Sequence, residues 1–158
     1  MLKHICALVT LSLSIFSYGC GGSGDAPTVP QAQHAAASDV DIGDYVVHFS
    51  AQSTNNLSLE VARQYGIVRS KNRAMLNVSV LRKNTGTAAT ADIQVRAVNL
   101  AGQLKNVTMR KLEIQEAIYY IGETGIANHE TLVFTITVTP EGAAEASEVR
   151  FTREFYTD

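Results

Sequence analysis

The chain has 158 residues, 46% of them hydrophobic, and a formal charge of −2 from 13 basic and 15 acidic side chains. That is one globular domain plus an appendage, and the near balance of charge excludes a global field that would draw in nucleic acid.

The appendage is N-terminal. Lys3 and His4 precede an apolar run from Ile5 to Phe16 that ends in Ser17, Tyr18, Gly19 and Cys20. At about 12 residues, the run is shorter than the roughly 20 a membrane-spanning helix needs, and it has the form of a signal peptide over residues 1–20. Gly19 before Cys20 suits a bacterial lipoprotein box, with Cys20 lipidated after cleavage. Ordinary signal-peptidase cleavage to a soluble periplasmic protein is the alternative. Gly21 after the cysteine points to outer-membrane sorting. With Cys6 discarded and Cys20 used as the anchor, the folded domain holds no thiol, so a disulfide framework, a cysteine nucleophile and a zinc cluster are not expected.

Residues 21–40 are rich in Gly, Ala, Ser and Pro and read as a flexible linker; as a free coil it spans roughly 23 Å. The domain is expected over residues 41–158. DYVVHFSA sets Tyr45, Val47 and Phe49 against Val46, His48 and Ser50, the alternation of a strand. Ser58 caps a helix from Leu59 to Tyr65, with Glu60 in its first turn and Gly66 as its left-handed stop. A loop carrying Arg69, Lys71 and Arg73 follows. Leu76, Val78 and Val80 then share one strand face, and Arg82 to Gly86 reads as a hairpin turn.

Ile93, Val95 and Ala97 continue the pattern, but Val98 and Leu100 change phase. A second phase change separates Val107 and Met109 from Leu112 and Ile114. A bulge or a twist is expected at the first and a bulge at the second. AIYYI (Ala117 to Ile121) is apolar on both faces, as a central strand would be. TLVFTITVT buries Leu132, Phe134, Ile136 and Val138, and Val149 to Phe155 forms the last strand. About seven strands with one short helix predict an all-β fold, an antiparallel two-sheet immunoglobulin-like sandwich; a closed barrel is the alternative.

Three stretches carry a resemblance: GDYVVHFSA (Gly43 to Ala51), LSLEVARQYGIVRSKNRAMLNVSV (Leu57 to Val80) and FTREFYTD (Phe151 to Asp158). Together they resemble the proteobacterial exported family known as domain of unknown function 4426. Gln52 and Ser53 stand where relatives commonly carry an aromatic-Asn pair, and Leu59 stands where they carry proline. The resemblance implies a small exported β-rich domain and supplies no catalytic residues.

Arg69, Lys71 and Arg73 alternate along a loop, and Asn77 and Ser79 are placed to continue their row. The four residues Arg69, Lys71, Arg73 and Asn77 are the candidate site for an anion or an acidic partner, such as a lipid headgroup phosphate. His48 and His129 lack HExxH or GxSxG spacing, and Glu113, Glu116 and Glu123 have no spacing that fixes an acid pair. Tyr119 and Tyr120 project to opposite faces, one into the core and one exposed beside Tyr156. No metal or cofactor is expected. The reading is a non-enzymatic envelope module, anchored through Cys20, that binds an envelope protein or component by a sheet edge or by the basic loop. A small-ligand carrier or sensor with a pocket between the sheets is the alternative, and an enzyme without a recognisable motif is the third reading.

Overall fold

The computed structural model describes residues 39–158; the expected signal peptide, Cys20 and residues 21–38 of the expected linker lie outside the described residues, whereas Asp39 and Val40, expected in the linker, belong to the first strand. Nine strands form two antiparallel sheets. The five-stranded sheet contains β1 (Asp39–Ile42), β2 (Tyr45–Ser53), β3 (Arg73–Arg82), β7 (Ala117–Gly125) and β6 (Thr108–Ile114), in the order β1-β2-β3-β7-β6. The four-stranded sheet has the order β5-β4-β8-β9, from β5 (Leu104–Lys105), β4 (Ala91–Asn99), β8 (Glu130–Pro140) and β9 (Ser147–Phe155). The architecture is the expected sandwich. The strand count is higher than the expected seven because β1 and β5 are too short to show a period of two.

Alternation fills the space between the sheets. Val47 and Phe49 from β2, Leu76, Val78 and Val80 from β3, and Leu132, Phe134, Ile136 and Val138 from β8 are all buried in one cluster. Phe151 lies 4.7 Å from Phe49 and 4.9 Å from Phe134, so three rings bridge the two sheets. Tyr120 enters the same layer and accepts the Ala91 N–H at 2.7 Å, which ties β7 of one sheet to β4 of the other. Each aromatic ring buried here contributes contact area beyond what an aliphatic side chain would.

A second cluster sits on the outer face of the five-stranded sheet. Helix α1 (Leu59–Tyr65) begins at Ser58, whose hydroxyl accepts the Val61 N–H, and ends at Gly66 with φ 64°. Two turns are too short to be stable alone. Ala62, with Leu57 before it and Ile67 after it, covers Met75 of β3 and Ile121 of β7, while Tyr65, Leu112 and Tyr119 pack at the margin.

Neither phase change is a bulge, and this second cluster explains one of them. The β6–β7 register runs unbroken from Thr108 opposite Glu123 to Ile114 opposite Ala117. Val107 and Met109 pack between the sheets, and Leu112 packs under α1 on the other side. The apolar residues change face because both faces are covered, not because the backbone slips. The β4–β8 register is also continuous, from Ala91 opposite Pro140 to Asn99 opposite Leu132. Val98 faces outward there beside Val133, and Leu100 is in the exposed turn that follows. The turn after Arg82 closes locally, with Arg82 N–H to Thr87 O at 2.9 Å and Gly86 at φ 68°, but its far arm leads into the other sheet.

Candidate functional site

The four candidate residues do not form one row. Arg69 is turned back onto the domain, its Nη2 donating to the Asn55 carbonyl at 2.7 Å. Lys71 is exposed at the loop tip. Arg73 opens β3 and pairs with Glu123 of β7 at 3.6 Å. Asn77 does lie on the same strand face as Arg73, but Met75 stands between them, buried beneath α1. The helix that covers Met75 has no signature in the alternation of charge along residues 69–77.

What holds the basic loop is Thr54, in the single 3-10 turn Thr54–Asn56 that follows β2. Its buried hydroxyl accepts the Ser70 N–H at 2.9 Å, and its proton serves the carbonyl of Val68 at 3.0 Å or of Ser70 at 3.1 Å. A single hydroxyl thus replaces the strand pairing that the loop lacks. In sequence it sits in a polar run with no period, so only its fold-level neighbours reveal it.

On the uncovered half of the outer face, His48 of β2 lies between Asp39 of β1 and Ser79 of β3. The next row places Asn77 between Ser50 and Ile121. Asp, His and Ser therefore neighbour one another across three strands, although among the described residues no hydrogen bond joins them. Asn77 has a buried Oδ1 without a donor.

His129 belongs to a different region, the β7–β8 loop, with φ 53°, a left-handed value costly outside glycine. Its Nδ1 is 3.8 Å from Glu154 and its ring meets Tyr156 edge-on at 4.9 Å. The Glu154 carboxylate, by hydrogen bonding and then with partial burial and its charge, holds the Tyr156 phenol above its ordinary pKa. Tyr119 is not beside Tyr156 as expected: it packs on the outer face with Tyr65, ring centroids 6.5 Å apart. Among the described residues no group of three or more His, Cys, Asp or Glu side chains is placed to hold a metal ion, and no helix is long and apolar enough to cross a membrane.

Open clefts occur at the ends and edges of the sandwich. One lies between Thr90–Asp92 and the turn after β8. Another is lined by Tyr45, Arg82 and Lys83, where the Tyr45 hydroxyl donates to the Glu141 carbonyl and accepts from Arg82, each at 3.2 Å.

The model of the family described as "Domain of unknown function (DUF4426)" matches residues 39–158, the whole described domain. The chain belongs to the DUF4426 family. A crystal structure of a DUF4426 protein from Pseudomonas aeruginosa PAO1 shares 31% identity with it, covering 76% of this chain and 94% of that one with a TM-score of 0.66. FetP of uropathogenic Escherichia coli, in protein expressed in the periplasm, has the same fold at 11% identity, covering 78% and 95% of the two chains with a TM-score of 0.56. A copper-bound FetP variant gives 12%, 77%, 96% and 0.55. No curated protein matches the sequence.

Proposed function

We propose that this DUF4426 protein is a non-enzymatic binding module of the bacterial envelope, exported by its N-terminal signal, tethered to the outer membrane through a lipidated Cys20, and gripping an extended segment of another envelope protein along β9. The observation that carries the reading is the pairing of a filled inter-sheet layer with a nine-residue edge strand that is bonded on one side only. An unpaired edge offers a row of backbone donors and acceptors to an added strand. Its outward side chains, Glu148, Arg150, Thr152 and Glu154, provide both signs of charge for selection.

Export is further supported by the FetP neighbours, one of them obtained from the periplasm. Copper is a property of FetP and the proposal takes no metal. Because Arg69 and Arg73 are engaged within the domain, the basic loop contributes Lys71 at most, and the sheet edge is the favoured surface.

Two experiments test the reading. Labelling with a palmitate analogue should mark the protein and be lost in Cys20→Ala; an unlabelled wild type would remove the tether. A photoreactive residue at Thr152 should capture one recurrent envelope protein, and a synthetic peptide of its crosslinked segment should compete. Capture of bulk envelope proteins alone, or no competition, would remove the docking role of β9.

A further inference from the structure

The other long edge, β6, has a two-fold register in which its charges are self-complementary and an apolar residue lies on the axis. β6 closes the five-stranded sheet and is bonded only to β7. When two copies of an edge strand pair antiparallel about a two-fold axis, residues equidistant from the axis face each other. For one sheet to continue into the next, outward residues must meet outward residues, so the axis passes at a residue. In TMRKLEI, an axis at Arg110, Lys111 or Glu113 sets that residue against its own copy, like charge to like. An axis at Leu112 does the opposite. Lys111 then faces Glu113 of the second copy twice over, Arg110 faces Ile114, and Leu112 meets Leu112.

Two further observations favour this register. Leu112 is half-buried at the margin of the apolar cluster that α1 forms on the outer face, beside Tyr65 and Tyr119, so a second Leu112 extends that cluster across the axis. Lys111 and Glu113 share the strand face of Met109, the face turned toward the other sheet. They already pair within β6 at 2.7 Å, and that pairing holds the Lys111 ammonium above its ordinary pKa. An inward charge on an edge strand opposes indiscriminate pairing; here the Leu112-centred register supplies its partner, whereas a register centred on Lys111 or Glu113 sets like charges together. On β9 a two-fold register centred on Thr152 also pairs Arg150 with Glu154 of the second copy, but it sets Arg153, whose Nε is already buried without an acceptor, against Phe151, and no apolar residue lies on its axis.

We propose that two copies of this protein associate through β6, antiparallel about a two-fold axis at Leu112, giving one continuous ten-stranded sheet across the dimer. The inference is independent of what β9 binds.

Sedimentation of the mature protein tests it. The wild type should be a dimer at micromolar concentration. Lys111→Glu and Glu113→Lys should each be folded monomers, because each makes the edge self-repelling. Mixing those two variants should produce a heterodimer, and the double exchange Lys111→Glu with Glu113→Lys should restore the homodimer. Both residues are exposed, so circular dichroism should be unchanged in all variants. A monomeric wild type, charge variants that stay dimeric, or a mixture that fails to associate would each overturn the proposal. None of these outcomes depends on crosslinking at Thr152, so failure here and failure of the β9 reading are distinguishable.

Discussion

At the scale of single residues, two polar side chains, Thr54 in the turn after β2 and Asn77 on β3, have opposite consequences for stability. Thr54 is fully buried and uses its hydroxyl in both directions, as donor to the 68–70 loop and as acceptor of the Ser70 N–H. Thr54→Val keeps the shape and strands those backbone groups, so it should cost about 1–3 kcal/mol in urea unfolding. It should also raise hydrogen exchange at the Ser70 amide. Asn77 is the reverse case. Its Oδ1 is buried and has no donor, which costs free energy with no return in packing. Asn77→Val, better suited to a strand, should therefore stabilise the domain by about 1 kcal/mol. A loss of stability instead would show that Asn77 bonds through its other amide atom. A gain in stability that also weakens partner capture would mark Asn77 as a residue kept for binding.

At the scale of elements, what was legible in the sequence was whatever depends on local period. The strands β2, β3, β8 and β9, the helix with its Ser58 cap and Gly66 stop, and the buried choices Leu132, Phe134, Ile136 and Val138 follow from alternation and capping alone. Two strands of four residues or fewer gave too little pattern to read. The supposed bulges failed for a different reason: a phase change in apolar residues is ambiguous between a slipped backbone and a strand covered on both faces. Only the position of α1 resolves it for β6. The candidate basic row failed for the same reason, since α1 buries Met75 in its middle. The close fit of β6 on β7 is testable at Gly122, where an added Cβ would come within 2.4 Å of Met109 Sδ and 2.6 Å of Val107 Cγ1. The Met109 chain can swing aside, but branched Val107 is less free. Gly122→Ala should cost about 1–3 kcal/mol and should lower the stability of β6 before that of β2–β3, as residue-resolved hydrogen exchange would report.

At the scale of the whole molecule, a sandwich must close its ends as well as fill its middle, and here one carboxylate closes an end. Glu130 opens β8. It accepts Lys105 Nζ of β5 at 2.7 and 2.8 Å, Asn99 Nδ2 at the end of β4 at 3.0 Å, and the Ala127 N–H of the β7–β8 loop at 2.8 Å. Four segments thus meet on one side chain. Burial alone would raise the Glu130 pKa, but Lys105, the Ala127 N–H and Asn99 together outweigh it, and the carboxyl is held below its ordinary value. A carboxyl more acidic in the folded than in the unfolded state contributes stability that is complete above the unfolded pKa and lost as pH falls through the folded one. Glu130→Gln should therefore be less stable than wild type at neutral pH, and the difference should shrink in acid, where the wild-type carboxylate is protonated. Denaturant unfolding of both proteins across the acid range measures it directly. A gap that stays constant down to the most acidic pH would mean that Glu130 acts through packing and amide-like hydrogen bonds, and that the charge of Lys105 contributes nothing to closing this end of the sandwich.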